Sequence, residues 1–259
     1  MRRGTATALM TLAAVTALSG TAGSPALAGE PGADREEGCA PEITVTTEAG
    51  AGEVLALVDR LAADGATRAE IDAALADRAC MTRAGSAALP PADGLTVAPP
   101  DVYVIAEVDG RDRWVAINAW RWDAVPAAPM TGDQAVVTWF DVPTTPIVKV
   151  VHHGGTTSQY PSVSREDAAE LSPYGVGFLL PPQKSGTDMN VATGRSALVF
   201  EGTGPCTDLT ARGAFAHTWG ATAVTGIDIH AAGTTLTWSS TAGRALTLSE
   251  PTTVQDVCA

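Results

Sequence analysis

The hydrophobic period of this chain changes near Pro100, and that change restricts its fold more than any other feature. Before it, apolar residues recur at helical spacing. Val54, Leu57, Val58 and Leu61 fall at i, i+3, i+4 and i+7 between Glu53 and Ala63, one stripe of an amphipathic helix that Gly65 stops. Thr67 with Glu70 three residues on is a capping box, and Ile71, Ala74, Leu75 and Ala79 continue an apolar face towards Cys80. Helices this short are marginal alone in water, so residues 53–81 are expected to form a helical hairpin packed on the rest of the protein.

After Pro100 the pattern belongs to strands. Val102 to Val108, a turn at Asp109-Gly110, and Trp114 to Trp122 read as a β-hairpin. Further strands are expected over Ala135 to Val142, Ile147 to Val151, Gly175 to Leu180, Ala197 to Glu201, Ala214 to Trp219 and Val224 to His230. Thr234 to Ser239 and Arg244 to Ser249 alternate strictly, with Leu236, Trp238, Leu246 and Leu248 on apolar faces, and read as a C-terminal meander. One short helix is expected from Ser164 to Leu171, with Ser164 as its cap and Asp167 three residues later. Short strands punctuated by turns predict a mainly β fold, an antiparallel β-sandwich or barrel over residues 101–259, with the N-terminal helical hairpin beside it. The stretch 82–100, which holds Leu89-Pro90-Pro91 and Ala98-Pro99-Pro100, reads as a Pro/Ala linker.

The first residues read as an address. Arg2 and Arg3 precede an apolar run from Ala6 to Leu18, and Ala26-Leu27-Ala28 has the small-residue pattern cut by signal peptidase, so residues 1–28 are expected to be a signal peptide. Residues 29–52, with Glu30, Asp34, Glu36 and Glu37, read as an acidic extended arm. No later stretch is long and apolar enough to span a membrane, which makes a secreted, soluble extracellular protein the expectation. Four cysteines in an exported chain predict two disulfides, and Cys39–Cys80 with Cys206–Cys258 is favoured because each pair brackets one recognisable segment. A four-cysteine zinc site lacks any C-x-x-C spacing.

Charge and motifs narrow the chemistry. With 16 Lys+Arg against 29 Asp+Glu, a formal net charge of -13 opposes binding to a phosphate backbone, so no nucleic-acid partner is expected. The 4 histidines are His152, His153, His217 and His230, and a site drawn from them with Asp228 would suit zinc or a general base. Adjacent His152 and His153 point to opposite faces of a strand, however, and no H-E-x-x-H or G-x-S-x-G motif is present. Asp109 and Asp112 flank a turn and offer two of the many oxygens that calcium needs. The segment Pro181 to Gly194, with Lys184, Asp188 and Asn190, is polar and reads as a functional loop.

Tryptophan gives the positive signal. Trp114, Asn118, Trp120 and Trp122 share one strand face by parity, which suits either a stacking platform for a sugar or apolar ligand, or core packing. The resulting expectation is a non-catalytic extracellular binding or interaction module without a cofactor, whose partner is a glycan, a cell-surface component or an extracellular protein. The alternative is a small secreted hydrolase, with Zn or Ca as its optional metal, using His152 or His153 with His217 or His230.

Overall fold

The computed structural model describes residues 39–85, 94–108, 110–124, 130–155, 166–182 and 190–259. The expected signal peptide and the arm before Cys39 lie outside these residues, as do Asp109, Ser164, Lys184 and Asp188.

Two helices come first. Helix α1 (Glu48–Ala63) starts at Glu48 rather than at Glu53, because the Thr47 hydroxyl accepts the Gly50 N–H at 3.1 Å and so caps an earlier turn. That turn is built from small residues and carries no apolar stripe, so periodicity does not reveal it. Helix α2 (Arg68–Ala79) starts at the expected capping box, where Thr67 Oγ1 accepts the Glu70 N–H at 3.3 Å and Glu70 Oε2 accepts the Thr67 N–H at 2.7 Å. The Thr67 backbone N–H, more than its hydroxyl, holds the Glu70 carboxyl below the usual carboxylate range. The helix ends at Cys80 in the left-handed conformation, with φ 53°, and Cys80 is joined to Cys39.

The strands follow as β1 (Met81–Gly85), β2 (Leu95–Val97), β3 (Asp101–Val108), β4 (Arg111–Trp122), β5 (Gln134–Phe140), β6 (Thr144–Gly154) and β7 (Ala168–Ser172). Then come β8 (Gly175–Leu180), β9 (Thr193–Gly202), β10 (Thr207–Thr218), β11 (Val224–His230), β12 (Gly233–Trp238), β13 (Arg244–Leu248) and β14 (Thr252–Val257). One six-stranded sheet runs β1-β3-β4-β9-β6 with β2 also on β4, and a second runs β13-β10-β5-β8-β7 with β14 also on β10. Strands β11 and β12 form a separate two-stranded ribbon. These strand pairings are antiparallel.

Three expectations are corrected here. The stretch read as a linker contributes β1 and β2, which join the sheet through main-chain pairing and so need no alternating side-chain pattern. The helix expected up to Leu171 is instead strand β7 over Ala168–Ser172, where Ala168 opposes Phe178 and Leu171 opposes Val176; pairing with β8 overrides the helix preference of Ala168, Ala169 and Glu170. The C-terminal strands do not form a meander, since β12 pairs with β11 and β13 returns to β10.

Apolar side chains sort the elements into layers, and the arrangement is a sandwich. Between the two large sheets lie Trp114, Trp120, Leu198 and Phe200 from the first, facing Val136, Phe140, Phe178, Leu209 and Phe215 from the second. The other face of the first sheet, through Tyr103, Val115, Ile117, Val150 and Val199, packs against Val54, Leu55, Val58 and Leu75 of the helices. The other face of the second sheet is partly covered by Ile227, Ile229 and Leu236 of the ribbon, whereas Leu246 and Leu248 of β13 stay exposed. Both predicted disulfides are formed, Cys39–Cys80 and Cys206–Cys258, closing sequence separations of 41 and 52 residues.

A polar spot interrupts the sandwich interior. Asn118 is fully buried and donates from Nδ2 to the Val137 carbonyl of the second sheet at 3.2 Å, while Thr138 Oγ1 and Ser196 Oγ lie 3.4 Å apart. Gly213 makes room for the amide, for a Cβ there would sit 2.4 Å from Asn118 Oδ1. The amide thus ties one sheet to the other at a fixed register.

Candidate functional site

Trp114 and Trp120 are 5% and 2% exposed, so the face expected to form a stacking platform is core. The reason lies in strand order. Strand β4 sits between β3 and β9, and the second sheet covers the face that carries Trp114, Asn118 and Trp120. Trp120 Nε1 donates to the Val191 carbonyl at 3.0 Å, and its ring centroid lies 5.3 Å from that of Phe215. Trp122 alone reaches the rim, half-buried, in an edge-on contact 4.7 Å from His217, whose other side meets the exposed Trp219 at 5.3 Å.

The histidines are divided among separate places. His152 and His153 take opposite faces of β6. His152 is buried on the helix side, where its cross-strand neighbour Arg195 donates from Nε to Asp59 of α1 at 2.5 Å. His153 is buried at the other face, its Nδ1–H donating to the Asn190 carbonyl at 2.6 Å and its Nε2 lying 3.3 Å from Glu166 Oε1. Asn190, expected in a functional loop, is therefore a buried support for this ring. His217 belongs to the second sheet, and His230 with Asp228 lies exposed on the ribbon. Among the described residues, no group of three or more His, Cys, Asp or Glu comes together as a metal ion would require. Asp112 is exposed at the start of β4.

His217 has a defined tautomer. Gln134 Oε1 accepts the Thr218 N–H at 2.7 Å and so faces the ring as an acceptor, which makes His217 Nδ1 a donor at 3.0 Å. Burial pushes the imidazole down to about 4. In the unfolded chain it titrates near about 6.5, so the unfolded state takes up the proton first as pH falls. The His217 contribution to stability should be full above the unfolded value, decline as pH falls towards the folded one, and level off below it. Urea unfolding should show the parent losing more stability than His217→Gln does across that window, by up to about 3 kcal/mol. Parallel pH profiles for the two proteins would show that the ring stays hydrated in the folded state.

A cleft with concentrated polar chemistry lies under the helical hairpin, on the face of the first sheet that carries Ile117, Ala119 and Arg121, and Trp120 also borders it. Its volume is about 330 Å³, and Arg68 of α2, Arg83 of β1, Arg121 of β4 and Arg195 of β9 all line it, together with Asp101 and Tyr103 of β3. Ile71, Ile117 and Ala119 give it an apolar floor. Arg83 braces the wall: it donates to Asp72 Oδ1 at 2.6 Å, bonds both Asp101 and the Tyr103 hydroxyl, and lies 4.6 Å over the Tyr103 ring. The Tyr103 hydroxyl donates to Asp72 at 3.0 Å.

The electrostatics of that wall follow from burial and pairing. Burial alone would raise the Asp72 carboxyl, yet the hydrogen bond and charge of Arg83 hold it below the usual range. Burial opposes the Arg83 charge as well, but Asp72 and Asp101 push its pKa upward. The Tyr103 hydroxyl is pushed up by burial first and by the Asp101 charge next. At the mouth, Arg68 donates to Asp101 at 3.2 Å and Arg121 to Asp123 at 3.0 Å.

Sequence reasoning missed this cleft entirely. Its four arginines come from four separate segments, and no local spacing joins them. Comparison with protein families, with curated proteins and with solved structures finds no match to this chain.

Proposed function

We propose that the protein is a secreted, non-catalytic binding module of the extracellular space, and that its ligand sits in the cleft under the helical hairpin. The observation that carries this reading is the convergence of Arg68, Asp101, Tyr103 and Arg121 over an apolar floor in a concavity of about 330 Å³. Ligand sites have that character: concave, largely apolar, with a few placed polar groups. Two disulfides suit an oxidising compartment, and among the described residues no helix is long and apolar enough to cross a membrane. A glycan, a cell-surface component or an extracellular protein remains the partner class to test. The hydrolase reading has less support, because it has to join His152 or His153 of the first sheet to His217 of the second or His230 of the ribbon.

The test begins with the exported protein. Its mass should correspond to cleavage after Ala28 with both disulfides intact. A glycan array and a panel of extracellular extracts then serve as binding screens, alongside metal analysis and a broad hydrolase screen. Binding weakened by substitutions in the cleft, without turnover, supports the proposal. Stoichiometric zinc with hydrolysis lost in His153→Ala or His217→Ala would replace it with the hydrolase reading.

A further inference from the structure

We infer that the cleft takes a small organic anion, a single carboxylate joined to an apolar body, with the carboxylate held by Arg68 and Arg121. This rests on the reading of the cleft as the ligand site and adds the chemical class. In a chain where acids outnumber bases by 29 to 16, four arginines converge on the cleft with one carboxylate, Asp101, in the lining itself, while Asp59, Asp72 and Asp123 pair with them from outside it. The four arginines do different work. Arg83 is committed to Asp72, Asp101 and Tyr103, and Arg195 to Asp59, so these two shape the walls. Arg68 and Arg121 stand at the opening with side chains 45% and 71% exposed, and each gives one Nη2 to an acid. A guanidinium has five N–H donors in a planar fork, so both retain donors matched to the two oxygens of a carboxylate.

The floor selects the rest of the ligand. Ile71, Ala98, Pro99, Ile117 and Ala119 offer apolar contact and no donors beyond the main chain, which suits a ring or a short branched chain. Asp101 accepts from Arg68 inside the same wall, so a doubly charged head group would meet a carboxylate beside its partners. A singly charged carboxylate fits between them. The strongly acidic remainder of the chain opposes a polyanion, which limits the charged ligand to a small one.

The experiment titrates the exported full-length protein, labelled with ¹⁵N, using matched pairs that differ only in charge: cyclohexanecarboxylate with its carboxamide, and benzoate with benzamide. At low salt the carboxylates should saturably move the amide signals of Ala98, Ala119 and Thr193, and bind at least about tenfold tighter than the carboxamides. Arg68→Gln and Arg121→Gln should each remove most of that preference while leaving the melting temperature unchanged, and added salt should weaken it. Carboxamides that bind these same residues as tightly as the carboxylates would overturn the anion class and leave the cleft standing as a ligand site. If neither member of either pair moves the cleft signals, the inference falls, and the cleft reading falls with it when the binding screens also give nothing there.

Discussion

Trp120→Ala is expected to lower the unfolding free energy by about 3–5 kcal/mol, the usual cost of truncating a large aromatic side chain in a packed core. The indole is 2% exposed, packs on Phe215 and satisfies its N–H on the Val191 carbonyl at 3.0 Å, so truncation removes apolar contact and leaves a buried acceptor unpaired. Relaxation into the hole is limited. The ring is seated against Gly194, where an added Cβ would sit 2.3 Å from it, and the strand pair β4 and β9 holds both backbones in place. Trp122→Ala should cost less, since that indole is only half-buried and its Nε1 finds no hydrogen-bond partner among the described residues. Urea unfolding of both variants beside the parent checks the ranking. Equal midpoints for Trp120→Ala and the parent would mean that the indole is not in the core, and the tryptophan face would return as a candidate platform.

The second large effect is expected at the N-terminal disulfide. Cys39→Ser with Cys80→Ser opens a constraint across a sequence separation of 41, which in the chain-entropy account costs about 4 kcal/mol. The site has more at stake than loop entropy. Cys80 closes helix α2 in a left-handed conformation, and Met81 begins strand β1 directly after it. The bridge therefore pins the joint between the helical layer and the sheet, beside the Arg83 wall of the cleft. Thermal unfolding of the double variant, with mass spectrometry to confirm that Cys206–Cys258 is still closed, gives the number. A loss under about 1 kcal/mol would show that packing alone holds the hairpin and that the unfolded chain is already compact there.

Local chemistry was legible in the sequence, and long-range covering was not. The capping box at Thr67 and Glu70 acts within one turn, so spacing alone locates the start of α2. The β3–β4 hairpin was legible for the same reason, its turn lying between two apolar runs. Strands β1, β2 and β14 are short and exist because longer strands offer them an edge, a circumstance that no short window records. The tryptophan face shows the limit best. A period of about 2 says which residues share a face of β4, but not what lies over that face. A signal was nevertheless present: Val115 and Ile117 alternate with Trp114, Ala116 and Trp120, so both faces are apolar, as in a strand buried between two layers. The cleft had no such signal. Its arginines are brought together by α2, β1, β4 and β9, and that meeting exists only after both hairpin and sheet have formed.

The order of strands in the first sheet also bears on how the protein acquires its structure. Strand β4 ends at Trp122, and its partner β9 starts at Thr193, with Trp114 opposite Phe200 once the two are paired. Strands of the second sheet are made in between, so neither sheet is complete when half the chain has been synthesised. Contacts between residues this far apart in sequence make folding slow, because loop closure has to precede the pairing that rewards it. A nascent chain that has passed Trp122 therefore carries a long apolar edge without its partner. Fragments ending before Thr193 should aggregate rather than fold, and the survival of the full chain depends on keeping the second edge of β4 shielded until β9 emerges.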